Sequence, residues 1–107
     1  MSFAYLASPY THPDPAVKES RYRTALFATA RLLEKKIWVH SPIVHCHHLA
    51  LEAGLPDSFD FWMEYNFAIL AQAKELLVLR MDGTDESVGV RSEMKEAERL
   101  GIPWRYL

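Results

Sequence analysis

Ser87 and Glu93 are the two residues whose types and spacing most directly suggest chemistry. They bound the segment Ser-Val-Gly-Val-Arg-Ser-Glu, which follows an apolar run at 76–79 and a polar stretch at 81–86. This pattern predicts a strand, a loop and a helix, and ligands of open α/β sheets bind outside the carboxyl ends of such strands. A carboxylate there can act on a glycosidic carbon, and a serine at a helix N-terminus can donate to a phosphate. The open alternative is a solvated acid that favours the helix dipole behind an ordinary N-cap.

The loops after the predicted strands supply further candidates. The first loop offers Ser8 and Tyr10, with Tyr5 just inside its strand, and the third loop offers Asp82. The helix before the third strand adds Glu64 or Asn66. Because the carboxyl ends of parallel strands share one edge of the sheet, we expect these loops to line a common mouth.

Residues 45–48, His-Cys-His-His, have the composition of a metal site but not its spacing. Neighbouring residues rarely converge on one ion, and tetrahedral Cys/His sites use ligand pairs separated by spacers. A loop on the surface or lining a pocket is therefore the favoured interpretation, and no metal is predicted. No base or orienting acid is indicated for Cys46 as a nucleophile. The chain has neither a dinucleotide fingerprint nor a G-x-x-x-x-G-K-[ST] motif, and no cofactor is predicted.

Bulk properties place the chain in a broad class. Its 107 residues predict a single domain, and half of them are hydrophobic, which argues against disorder. The net charge of −2 gives no indication of a nucleic-acid or polybasic membrane surface. The single cysteine excludes an internal disulfide framework and fits a reducing compartment. With no leader-like or membrane-spanning segment in the sequence, we expect a cytoplasmic protein.

Hydrophobic periodicity, caps and breakers predict the elements. Strands are expected at 3–7, 37–40, 76–80 and 102–106, the last at a sheet edge because Pro103 would interrupt a central ladder. Asp14 and Pro15 start a helix that runs to about residue 35, and further helices are expected at 59–73 and 87–100. Residues 43–54 are predicted as a loop running into a short helix that ends at Gly54.

Apolar residues at helical spacing predict which face of each helix points inward. The predicted inner positions are Tyr22, Leu26, Ala30 and Leu33 in the first helix, Phe59, Trp62, Met63, Asn66, Ile69 and Leu70 in the third, and Val90, Met94 and Ala97 in the last. The order of strands and helices implies parallel pairing through right-handed crossovers. We therefore predict a small three-layer α/β/α domain with a short, mainly parallel sheet.

Three segments together resemble a known superfamily. They are Tyr-Leu-Ala-Ser-Pro-Tyr at residues 5–10, the helix segment 62–70, and Ser87-x-Gly89-Val90-x-x-Glu93. Their order and spacing are similar to those of the nucleoside 2-deoxyribosyltransferase-like superfamily, most closely a small bacterial branch known as a domain of unknown function. The resemblance covers nearly the whole chain. It implies a flavodoxin-like (Rossmann-like) sheet and cleavage or exchange of an N-glycosidic bond.

The resemblance also implies roles for individual residues. Glu93 would attack the anomeric carbon, and Tyr5 would hold Glu93 and the sugar. Where the transferases have an aspartate for the 5′-hydroxyl, this chain has Ser87, as in a nucleotide-hydrolase branch that accepts a 5′-phosphate. An aspartate would repel that phosphate, whereas a hydroxyl at a helix N-terminus donates to it. The expected substrate-binding set is Ser8, Tyr10, Asp82, Ser87 and Gly89.

Asn66 departs from the superfamily pattern. Relatives carry an aspartate there that helps to protonate the departing base, and an amide cannot act as a general acid. Asn66 would instead hydrogen-bond the substrate. The leading hypothesis is an N-glycosidase or deoxyribosyltransferase-like enzyme acting on a nucleoside or nucleoside 5′-monophosphate. The alternatives are a nucleotide-binding module without turnover and a structural or interaction domain on the same fold.

A homo-oligomer is also expected. Large apolar side chains are numerous for so short a chain, and some of them would lie at a contact between copies. The competing interpretation is simple core packing. These residues are Trp38, Phe59, Phe61, Trp62 and Trp104.

Overall fold

The computed structural model describes residues 2–107, which form alternating strands and helices. The strands are β1 (Ala4–Ala7), β2 (Val39–His40), β3 (Glu75–Val78) and β4 (Trp104–Tyr106). The helices are α1 (Pro15–Glu34), α2 (Pro42–Ala53), α3 (Phe59–Leu70) and α4 (Val88–Leu100). No helix within these residues is both long enough and apolar enough to cross a membrane.

The strands form one parallel sheet in the order β2-β1-β3-β4. The predicted parallel α/β architecture is therefore confirmed, and β4 lies at an edge as Pro103 indicated. The chain leaves β1 toward β2 and later returns to the other side of β1 as β3. In flavodoxin-like sheets this reversal is where ligands bind. The carboxyl ends of β1 and β3 thus mark the expected position of a site.

The alternation of side chains along β1 divides the core into two layers. Ala4 and Leu6 pack against Leu32 of α1, on one face of the sheet. Tyr5 and Ala7 lie on the other face, in a cluster with Leu70 of α3 and with Val90 and Ala97 of α4. All four β1 residues are buried, as expected for a central strand with helices on both sides.

Helix α2 corrects the sequence prediction that residues 43–54 begin as a loop. Ser41 and Pro42, interpreted only as the end of a strand, are also the N-cap and the first residue of a helix. The hydroxyl oxygen of Ser41 accepts a 3.2 Å hydrogen bond from the Val44 N–H. The helix follows β2 without an intervening loop and ends, as predicted, at Gly54, which is left-handed with φ 75°.

The buried face of α1 differs from the predicted one. The sequence favoured Leu26, Ala30 and Leu33 beside Tyr22, but Ala30 and Leu33 are exposed. The residues that face inward are Tyr22, Ala25, Thr29 and Leu32. Small side chains allow the helix to approach the sheet, and Thr29 satisfies its hydroxyl by donating to the Ala25 carbonyl at 2.7 Å.

Helix α3 ends at Leu70 rather than at the predicted residue 73, and one of its predicted inner residues is misplaced. Met63, expected on the inner face, is exposed, whereas Trp62, Asn66 and Leu70 are buried. The actual inner face is a narrower stripe at spacings of four residues. The polar Asn66 lies in the middle of that stripe.

Candidate functional site

A cavity of about 360 Å³ lies at the carboxyl edge of the sheet. Its walls come from the loops after β1 and β3, from the segment between α2 and α3, and from helices α2, α3 and α4. The lining includes Tyr10, Cys46, Asn66, Ser87, Gly89 and Glu93. The cavity therefore lies where the reversal of strand order predicts a ligand.

Glu93 is held at this cavity by Tyr5 across the sheet–helix interface. The Tyr5 hydroxyl donates a hydrogen bond to Oε2 of Glu93, and both side chains are buried. Burial raises the pKa of the Glu93 carboxyl to about 7, against the opposing effect of the Tyr5 hydrogen bond. Burial, followed by the proximity of Glu93, raises the pKa of Tyr5 well above its ordinary range, so Tyr5 remains the donor.

Ser87 and Gly89 form the wall at the first turn of α4. Ser87 is the N-cap, and its hydroxyl oxygen accepts a 3.1 Å hydrogen bond from the Val90 N–H. A Cβ atom on Gly89 would lie 3.2 Å from Cδ1 of Phe59, the first residue of α3. A methyl group at position 89 would therefore need the Phe59 ring to shift by a few tenths of an ångström.

Asn66 faces the same cavity from α3. Its side chain is largely buried, with 8% exposed, and it lines the cavity. An amide has both donors and an acceptor, so Asn66 can hydrogen-bond a molecule bound there.

A chain of three hydrogen-bonded side chains leads away from the cavity through Tyr10. The Tyr10 hydroxyl lies 2.7 Å from Nδ1 of His47, and Nε2 of His47 lies 3.0 Å from Oε1 of Glu19. The ring of Tyr22 stacks on the His47 imidazole with centroids 4.0 Å apart. Tyr10 and His47 are buried, with exposed fractions of 6% and 2%.

Sequence patterns did not predict this series of three hydrogen-bonded side chains. Glu19 and Tyr22 are separated by one helical turn of α1 and so share a face. That spacing, together with a helical interpretation of residues 43–54, was the available signal, because it would have placed His47 on a helix facing α1. This position of His47 was missed because the start of residues 43–54 was predicted as a loop.

Charge in the cavity has two opposing sources. Asp57, Asp60 and Glu86 line it together with Glu93, whereas no Lys or Arg side chain among residues 2–107 does so. Lys18 lies close by, paired with Asp57. The first turns of α2, α3 and α4 also contribute to the lining, and each helix N-terminus carries roughly half a positive charge. The acids are thus offset by backbone dipoles.

The remaining predicted site residues lie elsewhere. Ser8 is buried next to β1, and its hydroxyl has no hydrogen-bond partner among residues 2–107, but it does not line the cavity. Asp82 lines separate surface depressions with Arg21. The structure therefore brings Tyr5, Tyr10, Asn66, Ser87, Gly89 and Glu93 together at one site and leaves Ser8 and Asp82 outside it.

The residues of the His-Cys-His-His run diverge instead of converging. His47 points to the interior, the exposed His45 contacts Tyr65, and the exposed His48 pairs with Glu52 at 2.8 Å. Burial raises the pKa of the Cys46 thiol to about 11, which disfavours the reactive thiolate. Among residues 2–107, no group of three His, Cys, Asp or Glu side chains is arranged to hold a metal ion.

The fold and the site define a class: a three-layer α/β/α domain with a buried carboxylate at the ligand-binding edge of a parallel sheet. Within that class, residues 2–105 match the family described as "Domain of unknown function (DUF1937)". The chain belongs to this family. A comparison with curated proteins found no match. The prediction of a family of unknown function is thereby confirmed.

Proposed function

We propose that this cavity binds a nucleoside or a nucleoside 5′-monophosphate and that Glu93 attacks its anomeric carbon. The observation that carries the proposal is the buried Tyr5–Glu93 hydrogen bond at a cavity that Asn66 also lines. The resemblance to the nucleoside 2-deoxyribosyltransferase-like superfamily supports the same chemistry. The proposed class is an N-glycosidase or deoxyribosyltransferase-like enzyme.

The reaction would proceed in two displacements. In the first, a Glu93 oxygen forms a bond to the anomeric carbon while the bond to the base nitrogen breaks, and the electron pair leaves with the base. In the second, water or another base attacks that carbon and releases Glu93. Tyr5 positions the carboxylate throughout, and Asn66 hydrogen-bonds the sugar or the base.

The 5′ end of the substrate would lie toward Ser87. The first turn of α4 offers a hydroxyl and backbone N–H groups, which favour a phosphate. Asp57, Asp60 and Glu86 oppose a second negative charge in the same cavity. A nucleoside and its 5′-monophosphate should therefore be assayed side by side.

Glu93→Gln tests the proposal directly. The amide keeps the shape of the side chain but removes the nucleophile, so base release should fall to background. The assay is chromatography for free base with a panel of nucleosides, 2′-deoxynucleosides, their 5′-monophosphates and NAD. Glu64→Gln, an exposed acid on α3 that does not line the cavity, is the matched control and should retain wild-type activity. No base release from any member of the panel by the wild-type protein would refute the proposal.

A second candidate function is nucleotide binding without turnover. Asn66 favours it, because an amide cannot supply the proton that a departing base needs. This candidate requires the same cavity and the same ligands but no free base. It differs from the leading proposal only in the chemical step.

The homo-oligomer stays a prediction. Trp38 adjoins the edge strand β2 with 42% of its surface exposed, and Leu33 beside it is also exposed. These side chains are candidates for a contact between copies. Trp62 was also predicted as a candidate for such a contact. It is instead buried in the domain, where its indole N–H donates to the Pro56 carbonyl at 2.8 Å.

A further inference from the structure

The proposed reaction lacks an obvious acid for the departing base. Asn66 cannot donate a proton from an ionisable group, and Glu93 is engaged as the nucleophile. The acids Asp57, Asp60 and Glu86 line the cavity, but the Asp57 carboxylate is paired with the Lys18 ammonium, and Asp60 and Glu86 are exposed. Tyr10 is different, because its hydroxyl joins the cavity to a buried imidazole.

We propose that Tyr10 is the general acid of this site and that His47 and Glu19 act through it as a proton relay. The inference rests on the proposed N-glycosidic function. Tyr10 is the catalytic residue, since it lines the cavity, while His47 and Glu19 are positioning residues behind it. These three side chains form the Tyr10–His47–Glu19 relay.

The proton transfers of the relay balance over the two displacements. When the bond from the anomeric carbon to the base breaks, the Tyr10 hydroxyl proton passes to the base nitrogen, and the Nδ1 proton of the His47 imidazolium passes to the Tyr10 oxygen. His47 is left neutral, with its Nε2–H donating to Glu19. When water attacks the anomeric carbon, its proton passes to Tyr10 and the Tyr10 proton returns to Nδ1. The same group thus acts as acid and then as base, as retaining glycoside hydrolysis requires.

Two groups that contact His47 interact favourably with a positive charge on its ring. Glu19 lies 3.0 Å from Nε2, and hydrogen bonding to His47 is the main cause that lowers the pKa of this carboxyl, which keeps it ionised. The face of the Tyr22 ring stacks on the imidazole, an arrangement that attracts a cation. Arg23 also pairs with Glu19 at 3.1 Å, and His48 packs against His47 at 5.1 Å.

The relay also explains how a tyrosine can serve as an acid here. The pKa of Tyr10 is raised to about 12, mainly by burial, so an isolated phenolate would be costly. Replacement of the lost proton by the one on Nδ1 means that no phenolate accumulates. A tyrosine without His47 would be a poor donor in this position.

The test exploits leaving groups that do not need a proton. Wild type and the Tyr10→Phe, Glu19→Gln and Glu93→Gln variants are assayed on two pairs: guanosine with 7-methylguanosine, and uridine with 5-nitrouridine. Each is used as the ribo- and 2′-deoxyribonucleoside and as the 5′-monophosphate. The second base of each pair leaves readily, since it is already cationic or forms a stable anion.

Tyr10→Phe should lower kcat/KM on the ordinary bases by about 100-fold or more, the usual contribution of general acid catalysis, and leave the activated bases nearly unchanged. Glu19→Gln should give a smaller loss with the same dependence on the leaving group. Glu93→Gln should abolish the release of both ordinary and activated bases. Tyr65→Phe is the matched control, because it removes a hydroxyl from another Tyr–His pair, with His45, that does not line the cavity.

The alternative outcomes separate the two proposals. Equal losses on ordinary and activated bases in Tyr10→Phe, or no loss on either, would overturn the relay. Full activity of Glu19→Gln on ordinary bases would do the same, and Glu19 is exposed enough for that variant to fold if Tyr10→Phe does not. A wild-type protein that cleaves only activated bases would overturn the relay but not Glu93. Base release from no substrate would refute the proposed function itself.

Discussion

At the scale of single residues, Glu93 combines two demands. It is buried in a helix–sheet interface, where a neutral side chain is favoured, yet the proposed chemistry requires its ionised form. The Tyr5 hydroxyl stabilises that form with one hydrogen bond. The pKa of about 7 is the balance between these effects, so the carboxyl is partly ionised near neutral pH.

This balance makes stability depend on pH. Because the pKa of Glu93 is raised from 4.5 to about 7 on folding, its contribution to stability is fully present below the lower value and is lost as the pH rises through the upper one. From about pH 5 to pH 8, the free energy of unfolding of wild type should therefore fall by up to about 3 kcal/mol relative to Glu93→Gln. Urea denaturation of both proteins across this range measures the difference.

The control for this experiment is Glu64→Gln, whose pH profile should follow that of wild type because Glu64 is exposed. Profiles of Glu93→Gln and wild type that stay parallel across the range would contradict the raised pKa. On the activated bases, which do not need the relay, the base-release activity should also rise as the pH increases through about 7, since only the ionised carboxylate attacks.

The sequence indicated which residues are candidates for the site more readily than it indicated which residues contact one another. Glu93, Ser87 and Tyr5 were found from spacing and resemblance, because each lies in a short motif close to a predicted element boundary. The contact between Tyr10, His47 and Glu19 was missed, since it joins residues 28 and 37 positions apart and spacing gives only a partial signal for it. Such contacts depend on how α1 and α2 pack, which local periodicity does not specify.

At the scale of elements, caps decide where the helices begin and what they present to the cavity. Ser58 and Ser87 are the N-caps of α3 and α4, and both line the cavity. Each of these serines therefore has two roles: it caps the N-terminus of a helix, and it borders the cavity. Substitutions at these positions can separate the two roles.

Ser87 provides such a separation. Ser87→Ala should lower the free energy of unfolding by about 1 kcal/mol through loss of the cap, whereas Ser87→Asp should not, because aspartate caps equally well. Ser87→Asp should instead reduce kcat/KM for a 5′-monophosphate relative to its nucleoside, since the new carboxylate repels the phosphate. Urea denaturation and parallel kinetics with both substrates measure the two effects. An unchanged substrate ratio in Ser87→Asp would contradict the placement of the 5′ end at α4.

The type of each element could be predicted better than which side of each helix is buried. Helix starts at Asp14–Pro15 and helix ends at Gly54 and Gly101 followed from residues with special backbone preferences. The inner face of α1 could not be predicted, because two sets of residues satisfy helical spacing and close packing against the sheet selects the smaller one. The start of α2 was missed since Ser-Pro both stops a strand and caps a helix.

At the scale of the whole molecule, topology explains why residues far apart in sequence share one cavity. The sheet order β2-β1-β3-β4 places the carboxyl ends of β1 and β3 side by side. The loop after β1 brings Tyr10, and the helix after β3 brings Glu93. The parallel class could be predicted from the order of elements, since few topologies satisfy right-handed connections. The edge position of β4 could be predicted from Pro103, which would interrupt a central ladder.

A ligand in this cavity should stabilise the entire fold by mass action. A nucleoside or nucleotide at about 100 times its dissociation constant would add about 3 kcal/mol, which corresponds to a rise in Tm of more than 10 °C for a domain of this size. Thermal unfolding of wild type and Glu93→Gln with each member of the panel measures it. A Tm rise without base release would favour the binding module over the enzyme.

The control is Gly89→Val, whose side chain would meet the Phe59 ring and occupy part of the cavity, so the ligand-induced rise should shrink. Absence of any rise in wild type with every nucleoside and nucleotide would count against both candidate functions. The structural or interaction domain would then be the remaining hypothesis.

The close approach at Gly89 has an electrostatic consequence. Gly89 in the first turn of α4 lies against the ring of Phe59 in the first turn of α3, and both turns line the cavity. Each turn has backbone N–H groups that no carbonyl of its own helix satisfies. Two helix N-termini, each with a partial positive charge, therefore border one cavity and attract an anion there jointly.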